Sequence, residues 1–264
     1  MEPKVMNVVR RGSGTPLLLV HGLGGSWRSW DSISPALAQK REVIMIDLPG
    51  HGGTPPEDDG GTFKGLVRSL EVFLEAEGLE GVDAVGSSMG ARLVLELARR
   101  GMTGATIALD PGGFWRGWER TFFATTIEIS VKLLRVLRPI LPALSRSRIG
   151  RTLLLAQLSH HPWALDPYLI ANELVGYATT PTFDALVRDL AAGPEQRGPA
   201  ANSAPVVIGW GRRDCLCLPR QAARAAAAFP TATLRWFKRS GHFPAWDMPT
   251  ETVRLILEST KRRM

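Results

Sequence analysis

Short apolar runs alternate along the chain with stretches in which apolar positions recur at helical spacing. The runs are "PLLLVHG", "REVIMIDLPG", "VDAVGSS", "ATIALDPGG", "APVVIGWG" and "ATLRWF", most of them closed by glycine or another turn former. Runs this brief and this apolar predict buried strands. The helical stretches are "FKGLVRSLEVFLEAEG", "ARLVLELARRG", "PRQAARAAAAFP" and "ETVRLILESTKRR". Strand and helix in alternation predict an α/β fold: a mostly parallel, doubly wound sheet covered on both faces. The opening segment "KVMNVVRRGSG" is expected to pair with the first run, "PLLLV".

The alternation stops between Phe114 and Gly198, where the pattern is helical throughout and punctuated at "RPILPALSRS", "HPWALDP" and "TTPTFD". A helical insertion between two strands of one sheet reads as a cap over the strand ends. The expected division is a core of residues 1–113 and 199–264 with a cap of residues 114–198.

Composition narrows the function without deciding it. At 44% hydrophobic and 22% charged residues, the chain has material for a packed core and no signature of disorder. No stretch approaches the length of a membrane span. The N-terminus "MEPKVMNVVRRGSG" lacks the apolar segment of a signal peptide, which makes a cytoplasmic location the default expectation. The net charge of +7 raises nucleic acid or an anionic surface as partners. The basic residues are scattered, however, and nucleic acid is not expected. Their densest stretch, Lys132, Arg135, Arg138, Arg146, Arg148 and Arg151 among leucines, reads most simply as a solvated helix face. A lipid-facing lid is the less favoured reading. Cys215 and Cys217 are too close for a disulfide and lack a second ligand pair for zinc, so both are expected as small core residues. Neither a metal nor an organic cofactor is expected, and the oligomeric state is left open.

Ligands of open parallel sheets bind beyond the carboxyl ends of the strands. The loops leaving those ends are "HGLGGS", "LPGHGGT", "GSSMG", "RRDCLCLP" and "KRSGHFPAW", which place a serine, an acid and a histidine on three different loops. These loops resemble those of the α/β-hydrolase superfamily. Gly86-Ser87-Ser88-Met89-Gly90 is similar to its G-x-S-x-G nucleophile elbow, "HGLGGS" to its oxyanion loop, "DLPGHGGT" to its Asp-x-Pro-Gly-His-Gly turn. "SGHFPAWDMP" resembles the histidine loop of the capped members close to esterases and meta-cleavage-product carbon–carbon hydrolases. The resemblance implies Ser88 as nucleophile, with Ser87 as its competitor. It implies His242 as base and Asp214 as the acid that orients it. Asp110, in "ALDPGG", is the alternative acid, because some members take it from that loop.

Physical reasoning supports the same roles. Glycines let a strand turn sharply into a helix and lift the Ser88 hydroxyl clear of the backbone. The helix start leaves the Met89 amide free to donate to a developing oxyanion, with the Leu23 amide as the second donor. Gly22, Gly24, Trp30, Phe114, Trp115 and Phe243 are expected around the substrate, with Trp118 and Trp163 as further candidates, although aromatics also simply pack helical layers. His21, His51 and Asp47 are expected to brace their loops, and His160 and His161 to pack in the cap.

The expected activity is a cofactor-free serine hydrolase acting on a small-molecule carboxylic ester through an acyl-enzyme. The alternatives are hydrolysis of a carbon–carbon bond in a ring-cleavage product, since "LDPGGF" resembles the corresponding loop of those enzymes, and a haloperoxidase-like activity. Arg92, just past the elbow, is placed either near substrate or on the helix surface. A non-catalytic binding module is disfavoured because all three candidates of the triad are present.

Overall fold

The computed structural model describes residues 6–198 and 204–261. Seven strands form one sheet: β1 (Val8–Arg11), β2 (Pro16–Val20), β3 (Glu42–Ile46), β4 (Val82–Ser87), β5 (Thr103–Leu109), β6 (Val206–Gly211) and β7 (Thr233–Phe237), in the order β1-β3-β2-β4-β5-β6-β7. All neighbours are parallel except β1, which runs antiparallel to β3 with Val8 opposite Ile46. The expected partner of the opening segment, β2, is therefore corrected to β3. Both edges of β2 are taken by the parallel strands β3 and β4, which leaves the outer edge of β3 for β1.

Side chains alternate across this sheet as the period of two requires. Leu17, Leu19, Val43, Met45 and Val85 point to one face, against Ile33, Leu37 and Ile256. Leu18, Val20, Ile44, Ile46 and Ala84 point to the other. Because both faces are covered there, β2 to β6 carry no polar alternation and read as apolar runs, whereas the edge strand β7 alternates exposed Thr233 and Arg235 with half-buried Leu234 and Trp236.

The helices flank this sheet. Helix α1 (Ser34–Leu37) precedes β3, α2 (Phe63–Ala76) joins β3 to β4, and α3 (Met89–Arg99) joins β4 to β5. Then come five helices in succession: α4 (Trp118–Leu137), α5 (Leu141–Arg146), α6 (Arg148–Leu155), α7 (Pro167–Thr179) and α8 (Phe183–Ala192). Helix α9 (Gln221–Ala228) joins β6 to β7, and α10 (Pro244–Asp247) and α11 (Pro249–Ser259) follow. The insertion thus lies between β5 and β6; the expected return to the core at residue 199 falls outside the described residues. Among the described residues no helix is long and apolar enough to cross a membrane. Cys217 is buried beside Trp210, but Cys215 is exposed, which corrects its expected place in the core.

Candidate active site

Ser88 sits between the last residue of β4 and the first of α3, with φ 56° and ψ −113°. Side chains rarely adopt that conformation, and the surroundings enforce it. A Cβ on Gly86 would stand 2.2 Å from the Gly90 carbonyl oxygen, and one on Gly90 would stand 2.2 Å from that of Val20. The two glycines of the elbow are therefore steric requirements. Ser87 is buried within the turn, whereas the Ser88 hydroxyl emerges and donates to His242 Nε2 at 2.8 Å.

On the other side of the imidazole, His242 Nδ1 donates to Asp214 Oδ2 at 2.8 Å, and both side chains are almost wholly buried. The remaining oxygen of Asp214 accepts from the backbone amides of Leu216 at 2.8 Å and Cys217 at 2.9 Å. That carboxylate is fixed in place by its own loop before it touches the histidine. Asp110 is close by but bonds differently: its Oδ1 accepts from the Gly211 amide at 2.8 Å, across from β6. Burial, and then the neighbouring Asp214 carboxylate, holds Asp110 well above the usual carboxylate range. The Asp214, Cys217 and His242 donor atoms lie within 4.8 Å of one another. Both imidazole nitrogens and both Asp214 oxygens are already engaged in hydrogen bonds, and burial keeps the Cys217 thiol protonated, so this cluster is a hydrogen-bonded relay.

The histidine loop is anchored to the helical insertion through Asp247, a residue that sequence reasoning passed over. Its carboxylate accepts from the amides of Gly241 at 2.7 Å and His160 at 2.9 Å and from the Ser159 hydroxyl at 2.5 Å. The His242 amide in turn donates to the Leu158 carbonyl at 2.8 Å. The available signal was a lone acid five residues beyond the histidine, in an otherwise apolar loop.

The bracing residues fall where the sequence puts them. Asp47 accepts from the amides of Trp27 at 2.7 Å and Gly53 at 2.8 Å. His21 Nδ1 donates to the Gly22 carbonyl at 2.7 Å while its Nε2 accepts from the Leu48 amide at 3.1 Å, which specifies a neutral ring. Burial, with the neighbouring His21, pushes His51 down to about 3.

Ser88 opens into a cavity of about 140 Å³ between the sheet and the helical insertion, with Leu23, Met89, Trp115, Leu134, Leu158 and Phe243 in its wall. Six other expected wall residues lie elsewhere. Phe114 is fully buried between Trp210 and Phe229, in the packing under α9. Trp30 and Gly22 border a separate small space behind the "HGLGGS" loop, and a Cβ on Gly22 would stand 3.2 Å from Ser88 Cβ. Gly24 is pressed against Tyr177 and Phe183, so its role is to let α7 approach. Trp118 and Trp163 are exposed on the surface of the insertion.

Two charged residues stand near the cavity: Arg92, for which the sequence left open a place near substrate or on the helix surface, and Glu173, which it did not single out. Arg92 is buried in the cavity wall, where Nε bonds Gln196 at 3.2 Å and Nη2 the Pro194 carbonyl at 2.7 Å. Its Nη1 is buried without a partner, and burial lowers the guanidinium to about 10, so it remains charged at neutral pH. Glu173 of α7 is buried and accepts from the Ser29 hydroxyl; desolvation pushes it up to about 7.

Residues 17–255 match the alpha/beta hydrolase family, and the chain belongs to it. A relative is the 2-hydroxy-6-oxononadienedioate/2-hydroxy-6-oxononatrienedioate hydrolase of Dechloromonas aromatica, 26% identical, over 94% of this chain and 87% of that one. Among solved structures the fold is similar to that of a thermophilic esterase from Thermogutta terrifontis, with TM-score 0.74, 20% identity and 96% and 92% of the two chains covered. It is also similar to a meta-cleavage product hydrolase from Pseudomonas fluorescens, with TM-score 0.72, 19% identity and 96% and 93% covered.

Proposed function

We propose that the protein is a serine hydrolase that cleaves carboxylic esters of apolar acyl groups through an acyl-enzyme. The observation that carries this reading is the chain of contacts from Ser88 through His242 to Asp214, opening into an apolar cavity. His242 takes the Ser88 proton as the hydroxyl attacks the ester carbonyl and returns it to the departing alcohol. The Asp214 carboxylate holds the ring in the tautomer with Nδ1 protonated and stabilises the imidazolium. The amides of Leu23 and Met89, which flank the cavity beside Ser88 and have no acceptor among the described residues, supply the oxyanion donors. Water then repeats the sequence and releases the acid. No cofactor takes part, and residues 114–198 act as the cap that shapes the acyl site.

The test is intact-mass spectrometry after exposure to a fluorophosphonate, followed by a panel of p-nitrophenyl esters. A single adduct on the wild type, absent from Ser88→Ala, is expected. An unmodified wild type, or an adduct that persists in Ser88→Ala, overturns the assignment.

Arg92 favours a second reading, hydrolysis of a carbon–carbon bond in an acidic ring-cleavage product. A buried guanidinium with an open Nη1 in the wall fits a substrate carboxylate. Turnover of a 2-hydroxy-6-oxodienoate that exceeds every ester in the panel, and is lost in Arg92→Met, would replace the ester reading.

A further inference from the structure

The insertion presents an apolar surface that the core does not cover. On α4 and the turn after it, Ile129, Leu133, Val136 and Ile140 follow one another in steps of four, three and four, which places them on one helical stripe, and all four are exposed. On α6, Ile149 and Leu153 do the same, four residues apart. The exposures are large: 77% for Val136, 72% for Ile149 and 76% for Leu153. The opposite side of α4 is apolar as well, since Val131 and Leu134 are buried beneath it. A helix that faced only water would carry polar residues on its outer side.

The two stripes meet at the entrance of the cavity. Leu133 and Leu153 are exposed and also line the space that Ser88 opens into. The Gln157 side chain donates to Thr126 Oγ1 at 3.1 Å and ties the end of α6 to α4.

The charge along this face is mostly basic, with Glu128 on α4 and Asp184 on α8 as its acidic neighbours. Residues 129–165 contain Lys132, Arg135, Arg138, Arg146, Arg148 and Arg151 and no Asp or Glu. Arg135 pairs with Asp184, Lys132 lies near that same carboxylate, and Arg151 is buried on backbone carbonyls. Arg138, Arg146 and Arg148 are exposed and form no ion pair among the described residues.

We propose that the outer face of α4 and α6 is a docking surface for an anionic lipid bilayer. Its apolar stripes would enter the boundary between headgroups and acyl chains while Arg138, Arg146 and Arg148 meet the lipid phosphates. A second copy of the chain is the poorer occupant. Two-fold pairing of this face would set the same arginines against one another, whereas an anionic bilayer neutralises them. Docked in this way, the cavity mouth between Leu133 and Leu153 opens onto the membrane, so the acyl group of a membrane ester reaches Ser88 without crossing water. That last step rests on the hydrolase reading; the docking does not.

The test uses the full chain carrying Ser88→Ala, mixed with vesicles of equimolar phosphatidylglycerol and phosphatidylcholine or of phosphatidylcholine alone and then sedimented. Binding to the anionic vesicles, falling as salt is raised, is the expected result. Val136→Ser with Ile149→Ser is expected to lower the partition coefficient about tenfold. Arg138→Gln, Arg146→Gln and Arg148→Gln are expected to lower it about fivefold each, and about a hundredfold together. All five positions are exposed and lie outside the cavity wall, so the variants should melt as the parent does. Equal binding to both vesicle types overturns the proposal, as does unchanged binding by the serine variant. So does a dimer of the free protein that Val136→Ser and Ile149→Ser dissociate. Because binding is read without turnover, failure here leaves the fluorophosphonate result untouched, and the reverse holds as well.

Discussion

At Ser88 the backbone is held in a conformation that a serine does not choose, by two neighbours that can only be glycine. Gly90→Ala would drive its methyl into the Val20 carbonyl and is expected to cost at least about 3 kcal/mol in denaturant titration, since the strand and helix have to part to admit it. The two buried aspartates have separable roles. Asp110 is held well above the usual carboxylate range by burial and the adjacent Asp214 carboxylate, and its Oδ2 is buried without a hydrogen-bond partner among the described residues. Asp110→Asn keeps an oxygen to accept from the Gly211 amide and places no charge beside Asp214. A fall in kcat of less than about tenfold is expected. Asp214→Asn removes the charge and favours the wrong imidazole tautomer, for which a loss on the order of 10⁴ in kcat is expected. Ester hydrolysis by the two variants decides the matter, and the reverse order of effects would move the acid to Asp110.

Glu173 links elements rather than residues. It projects from α7 of the insertion to the Ser29 hydroxyl, in the turn after the "HGLGGS" loop. Its carboxyl is pushed from an ordinary 4.5 up to about 7 by burial, so between those values the folded chain binds a proton that the unfolded chain does not. The stabilisation from this group is therefore fully present below about pH 4.5 and is lost as pH rises through about 7, by ~3 kcal/mol at most. Glu173→Gln, which cannot ionise, is expected to hold its stability across that window. Urea titrations of both proteins at pH 5.5 and pH 8.5 should show the wild type losing stability relative to the variant at the higher pH. An unchanged difference between the two proteins would mean that Glu173 is not desolvated. Such a contact is invisible in the sequence, since Ser29 and Glu173 are 144 residues apart and nothing in either local pattern announces the other.

Across the whole molecule, legibility follows burial geometry. The strands could be read because both faces of the sheet are covered, and the contact of Ser88, His242 and Asp214 because each sits on a loop of fixed character at a strand end. The pocket could be read only in part: Trp115 and Phe243 line it, but Phe114 meets Trp210 and Phe229 about a hundred residues away, and no local spacing distinguishes that from a place beside substrate. The insertion was hardest, because α4 is apolar on both sides and its periodicity names no inner face. The same helices nevertheless share one apolar cluster with the sheet, in which Leu141, Leu169 and Phe183 pack with Leu17, Val43 and Val85. An insertion joined in this way should not unfold ahead of the core. One transition is expected in calorimetry, with calorimetric and van't Hoff enthalpies equal. Leu141→Ala empties a fully buried site on α5 and is expected to cost about 2–5 kcal/mol, lowering the midpoint of that one transition by roughly 5–15 °C. If the insertion were an independent domain, the scan would split into two transitions and the substitution would move only the first.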